Sequence, residues 1–189
     1  MKIAAVTLYH PTQKKQADIF SAYYKKFVDT YAMEADFTLL PAHEWRNKIM
    51  AMYPDYDYYL TLDSDEIIIS DDMRHIMSFI EGHKPKCVLV PIHDYLSASE
   101  IAPVRSHKPV IVLRKGETFN DDRCTNAEKM ACKITLHHLG YLFNLPWKKD
   151  FYGLHNKLEK KKLLSIIEGV RTEVDTPLDV REVICQLSQ

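Results

Sequence analysis

Residues 57–72 read D-Y-Y-L-T-L-D-S-D-E-I-I-I-S-D-D. An apolar run, Tyr58-Tyr59-Leu60-Thr61-Leu62, delivers the acids Asp63, Asp65 and Glu66, and a second apolar run, Ile67-Ile68-Ile69, follows at once. Strand-forming residues on both sides of an acidic cluster are unusual, because like charges repel and are poorly placed at the edge of a core. A divalent cation that carries a diphosphate resolves the conflict. Asp63 and Asp65 stand two apart, so in an extended strand both project to one face, with Ser64 turned away. Two hard oxygen donors at that spacing suit Mg2+ or Mn2+, which binds through one or two carboxylates plus substrate phosphates. The competing reading is a solvated acidic turn that leads into the next helix.

Upstream of this stretch, residues 3–9, I-A-A-V-T-L-Y, form a continuous apolar run, expected as a buried strand. His10-Pro11 ends it. Ala17, Phe20, Tyr24, Phe27, Val28 and Tyr31 then recur at spacings of three and four, which predicts a helix from Thr12, its N-cap, to about Tyr31. Residues 36–40 are expected as a second strand, and residues 43–53, with Trp45, Ile49 and Met52 in phase, as a second helix stopped by Pro54. Strand, helix, strand, helix, strand favours a parallel sheet with helices on its faces. Ligands bind at the carboxyl ends of the strands in such sheets, which is where Asp63 stands.

Downstream, Ser70 is expected to cap a helix that runs to Gly82, with Asp71 and Asp72 in its first turn. Strands are expected at 87–92 and 109–114, with a polar loop over the site between them. The pattern is weak from Asn120 to Lys133. Residues 134–141 start as a strand and end at Gly140, a basic helix is expected over 147–167, and a closing helix over 177–187. This divides the chain into a compact domain over 1–145 and a C-terminal helical extension over 146–189, packed on the same domain.

The chain has 189 residues, 46% of them hydrophobic and 27% charged, as in an ordinary globular protein. The net charge of -1 gives no global drive towards nucleic acid or membrane. Cys87, Cys124, Cys132 and Cys185 are widely spaced and form no C-x-x-C pair, so zinc held by cysteines is not expected. No apolar stretch approaches the ~20 residues that span a bilayer. The opening residues, soon broken by polar ones, are not expected to act as a signal peptide. Free thiols and a cytoplasmic location are the expectation.

The run Y-D-Y-Y-L-T-L-D-S-D-E at 56–66 resembles the D-x-D-E segment of GT-A glycosyltransferases, especially of the family 2 type. Two later segments are similar to that family as well. Residues 109–116, P-V-I-V-L-R-K-G, resemble the strand ending in Arg-Lys that follows the acceptor loop. Leu136-His137-His138-Leu139-Gly140-Tyr141 resembles the H-x-G-Y segment that closes the catalytic core. The resemblance covers roughly residues 55–160. It departs from the family in the nucleotide-binding half, which is compressed, with Tyr9-His10-Pro11 where the first loop meets the nucleotide.

The resemblance implies a GT-A-like α/β fold, related to the Rossmann fold, with a mostly parallel sheet, helices on both faces and a C-terminal helical segment. It implies transfer of a sugar from a nucleotide-sugar, with UDP the first choice of nucleotide, to an acceptor hydroxyl, with inversion at the anomeric carbon. Mn2+ or Mg2+ would be held by Asp63, Asp65 and His138, with Glu66 behind the pocket and His137 on the opposite face. Asp63 and Tyr9 would face the nucleotide, and Arg105 and Lys148 the diphosphate. An inverting transferase needs a carboxylate base, for which the candidates are Asp122, Glu128 and Asp94. The acceptor would be a saccharide precursor, or a modified DNA base in a viral enzyme, although the net charge does not point to DNA. The basic groups Arg105, His107, Lys108, Lys148, Lys149, Lys157 and Lys160 to Lys162 fit an anionic partner or a plain solvated face. The rival functions are a metal-dependent nucleotidyl- or phosphotransferase on a similar sheet, and a non-catalytic binding module that keeps the transferase fold.

Overall fold

The computed structural model describes residues 1–102, 109–143 and 171–189. Arg105 and Lys148, the other basic residues of 105–108 and 148–162, and the helix expected over 147–167 lie outside the described residues.

A six-stranded sheet forms the centre. Its strands are β1 (Ile3–Tyr9), β2 (Asp29–Glu34), β3 (Tyr58–Asp63), β5 (Cys87–Leu89), β8 (Val110–Arg114) and β9 (Lys129–Ala131), in the order β2-β1-β3-β8-β5-β9. β1 pairs in parallel with β2 and β3, and β5 with β9. β8 alone runs the other way, between β3 and β5. The fold is therefore α/β with a mostly parallel sheet. Successive residues of β1 and β3 alternate between its faces. Ala5, Tyr58, Leu60 and Leu62 pack with Phe20 and Tyr24 of α1 (Lys14–Tyr24), Met73 and Ile76 of α3 (Ser70–His83) and Val180 of α5 (Leu178–Ser188). Ala4, Val6, Leu8 and Tyr59 pack instead with Ile49 and Met50 of α2 (Ala42–Met52). The helices thus cover both faces.

A second sheet of three strands continues the fold past the carboxyl end of β3. It consists of β4 (Glu66–Ile67), β6 (Ile92–Asp94) and β10 (Leu136–His138), with β10 in the middle. A short helix, α4 (Gly140–Phe143), follows β10. The strand pair β7 (Glu100–Ile101) and β11 (Thr172–Glu173) ties residues from either end of the second half together, and the Thr176 hydroxyl donates to the Ala98 carbonyl at 2.6 Å. The described part of the C-terminal extension, residues 171–189, therefore packs on the body of the fold.

Several elements differ from those expected. The first helix begins after a 3-10 turn, Pro11–Gln13, capped by the His10 side chain rather than by Thr12. It ends at Tyr24, and the chain turns through Lys25–Val28 into β2. Phe27, Val28 and Tyr31 keep helical phase only by coincidence, since they pack from a turn and a strand. Residues 36–40 are a turn, not a strand. Asp36 Oδ1 accepts from both the backbone N–H and the hydroxyl of Thr38, which offers the backbone an alternative to a sheet ladder. The expected strand 87–92 is split into β5 and β6, which belong to different sheets. Ser70 does not cap α3 with its own side chain; its N–H donates to Asp179 Oδ2 of α5 at 2.6 Å.

Candidate active site

β3 ends at Asp63, and Ser64 and Asp65 form a turn into β4. The acids are therefore not alternate residues of one strand, as the spacing predicts, and Ser64 is buried within the turn. The turn sends the two aspartates to different partners. Asp63 falls on the same sheet face as Tyr59, the side covered by α2. There Arg46 of α2 donates from Nη2 to Asp63 Oδ1 at 2.8 Å and from Nη1 to Asp122 Oδ1 at 2.5 Å. Arg123 Nη2 lies 3.2 Å from Asp63 Oδ2 and also bonds Glu66 Oε2.

Glu66 sits beneath this pair. Its Oε2 accepts the N–H of Asp63 at 2.9 Å, which fastens the side chain across the turn. Burial pushes the Glu66 carboxyl up from its ordinary value, against the pull of Arg123. Burial acts in the same sense on Asp63, but Arg123 and Arg46 outweigh it and hold that carboxyl down at about 2. Both guanidiniums are held above their usual values: each loses solvation, and the acids around them win.

Asp65 turns towards the second sheet, and its carbonyl accepts the N–H of Leu139 at 2.7 Å. In that sheet His138 is in register with Glu66 on one side and Asp94 on the other, so the three stand in one row. His138 Nε2 lies 3.6 Å from Asp65 Oδ2, and His138 Nδ1 lies 2.5 Å from Asp94 Oδ1. The Tyr141 ring packs edge-on to the His138 ring at 5.2 Å between centroids. His137 points the other way. Its Nδ1 bonds the Tyr95 hydroxyl at 3.1 Å and its ring meets His93.

The sequence positions thus sort by geometry. Asp63, Asp65, Glu66, Asp94, Asp122 and His138 come together at the carboxyl end of β3. Tyr9, the last residue of β1, lies at the rim, since its neighbour Leu8 is in register with Asp63. Glu128 does not join them. It precedes Lys129, which is level with Cys87 and hence with Leu113 and Tyr59. That puts Glu128 about five residues from the level of Asp63, on the order of 16 Å along the strands. Its side chain is exposed, and its backbone carbonyl faces the Cys87 thiol. Arg46 and Arg123 went unread in the sequence. Arg46 carried a usable signal, because it stands three and four residues before Ile49 and Met50, in phase with the buried stripe of α2. Arg123, in the weakly patterned segment and at φ +50°, carried none.

As a donor set, Asp65 and His138 fit a divalent cation of the Mn2+ type, oxygen and imidazole together. Two donors each about 2.1 Å from one ion stand about 3 Å apart at a right angle and about 4 Å apart when opposite. The observed 3.6 Å lies between these limits. Among the described residues no three of His, Cys, Asp and Glu converge into a complete cage. A cation here would take its other ligands from phosphate and water, the usual habit of Mg2+.

No protein-family model and no curated protein matches the sequence. Solved structures of low identity resemble it in backbone course. A glycosyltransferase involved in the glycosylation of the major capsid of PBCV-1 is 18% identical, with 61% of this chain matched to 61% of that one at a TM-score of 0.40. A197 from STIV is 10% identical over 74% of this chain and 86% of that one, with a TM-score of 0.49. Residues 1–349 of S. aureus TarS, in complex with UDP-GlcNAc, are 13% identical over 88% of this chain and 70% of that one, with a TM-score of 0.46. Among the described residues no helix is long and apolar enough to cross a membrane.

Proposed function

We propose that this chain is a metal-dependent glycosyltransferase that moves a sugar from a nucleotide diphosphate-sugar to an acceptor hydroxyl, with inversion. The observation that carries the reading is the approach of His138 Nε2 to Asp65 Oδ2, 3.6 Å, at the carboxyl end of β3 and beside Asp63. Residues 73 positions apart in the chain (138 minus 65) meet there. Asp65 and His138 would hold Mn2+ or Mg2+, which supplies charge neutralisation for a leaving diphosphate when bound. Asp63, kept ionised by Arg46 and Arg123, faces the donor side, and Tyr9 lines the approach from β1. Glu66 holds the turn that separates the two aspartates.

Of the three carboxylates weighed as the base, Asp122 alone is both at the cluster and open to solvent, its side chain 71% exposed. Arg46 fixes one of its oxygens, which orients the group towards an incoming hydroxyl. The acceptor, a saccharide precursor in this reading, would enter from that open side.

The test is a thermal-shift screen of nucleotide-sugars with and without Mn2+, with UDP-GlcNAc the first donor tried. Binding to the native state raises the melting temperature by mass action. A shift that needs both Mn2+ and a nucleotide-sugar, and is lost in Asp65→Ala, supports the reading. No shift with any UDP-, GDP-, CMP- or dTDP-sugar sinks it. A response to nucleoside triphosphates alone would point instead to nucleotidyl or phosphoryl transfer.

A further inference from the structure

We infer that Asp94 is a positioning residue that aims His138 at the cation, and not the base that takes the acceptor proton; this rests on the metal site proposed above. Asp94 closes β6 and His138 closes β10, and the parallel register sets the two side by side. Their side chains meet at 2.5 Å between Oδ1 and Nδ1. A proton on Nδ1 is then donated to the carboxylate, which leaves the far nitrogen, Nε2, to act as a ligand. Nε2 is the atom that looks towards Asp65 Oδ2.

The pair is rigid. The N–H of Tyr95 donates to the His138 carbonyl at 2.9 Å, and that of Ala102 to the Asp94 carbonyl at 2.8 Å. The backbones of both residues are thereby fixed, and Tyr141 packs against the imidazole.

Enclosure separates the two roles. A base must touch the acceptor hydroxyl, within about 3 Å or through one water. The Asp94 side chain is 1% exposed and stands on the Nδ1 side of the His138 ring, away from Asp65. Among the described residues, the imidazole is its link to the reaction. A carboxylate behind a ligating histidine fixes the ring orientation and raises its basicity, and losing such a partner weakens metal binding roughly 10- to 100-fold.

The experiment is a Mn2+ titration of wild type, Asp94→Ala, Asp94→Asn and His138→Ala, read by the free-ion EPR signal and by pulsed EPR for a directly bonded nitrogen. Wild type is expected to bind Mn2+ with a nitrogen coupling that disappears in His138→Ala. Asp94→Ala should weaken binding by roughly 10- to 100-fold. Asp94→Asn keeps the side-chain volume and an acceptor for the Nδ1 proton, so it should fall between the two. A melting curve of each metal-free variant separates lost affinity from lost folding. Should Asp94→Ala fail to fold, Asp94→Asn decides. Wild-type Mn2+ affinity in a folded Asp94 variant overturns the positioning role and leaves the metal site standing. Absence of nitrogen-coupled Mn2+ in the wild type overturns both.

Discussion

Arg46 on α2 donates to Asp63 at the end of β3, Nη2 to Oδ1, at 2.8 Å. The same guanidinium holds Asp122 with Nη1, so one side chain bridges the first half of the sheet and the loop after β8. Planar, two-sided donation is what arginine offers and lysine does not. Arg46→Ala should destabilise the fold by about 1.5–3 kcal/mol, the usual value of hydrogen bonds to charged groups. Arg46→Lys should recover only part of that, because an ammonium does not reproduce the fork. Urea unfolding of the three proteins measures the difference. Equal stability of Arg46→Lys and wild type would show that charge alone matters here.

Arg123 lies in a harder environment. Its Nη2 pairs with Glu66, which is itself buried, and its Nη1 is buried with no hydrogen-bond partner among the described residues. Removing one partner of a buried pair leaves an uncompensated charge. Arg123→Ala should cost about 3–5 kcal/mol at neutral pH. Adding Glu66→Gln to that variant should restore part of the loss, because the stranded charge is gone. A double-mutant cycle in urea reports the coupling. Additive effects of the two changes would refute the pairing.

Asp179 links both ends of the chain. Its Oδ2 accepts the Ser70 N–H at the start of α3 and the Tyr23 hydroxyl of α1 at 2.8 Å. It acts as the cap that α3 lacks locally. Asp179→Ala should lower stability by about 1–2 kcal/mol, as for the loss of an N-cap. Tyr23→Phe should cost less, since the α3 cap survives. Hydrogen exchange of the first-turn amides of α3 should quicken in Asp179→Ala and not in Tyr23→Phe.

His137 makes stability pH-dependent. Burial lowers its pKa to about 4, with His93 adding to the effect and Asp179 opposing it. The ordinary value in an unfolded chain is about 6.5. Between the two the unfolded chain binds more protons, so stability is fullest above about pH 6.5 and falls as the pH drops towards 4. The loss attributable to this group is on the order of 2–3 kcal/mol. His137→Phe should flatten that slope while costing some stability at pH 8, where the Tyr95 hydroxyl loses one of its hydrogen bonds. Chemical denaturation from pH 8 to pH 4 reads both. An unchanged slope would remove His137 as its source.

Much of the architecture was legible along the chain. Continuous apolar runs announce β1, β3 and β8 because strands buried on both faces need no polar alternation. The phase of Met73, Ile76 and Ile80 announces α3, since helical spacing puts them on one side. Where local chemistry competed with pattern, the pattern misled. Asp36 and Thr38 close a turn inside an apolar stretch, and Phe27 to Tyr31 keep helical spacing after the helix has ended.

The run at 57–72 by itself determined that a buried strand ends in acids, because apolar strand formers must go inside and ionised carboxylates cannot follow without partners. It did not determine what the partners are. The family resemblance brought Asp65 and His138 together as an expectation, and they lie 3.6 Å apart; only the tertiary structure decided that Asp63 goes to Arg46 and Arg123. That choice depends on a two-residue turn, on the face that α2 covers, and on a small sheet that sets Glu66, His138 and Asp94 in one row. None of these has a local signature. Each comes from pairings between segments far apart in the chain.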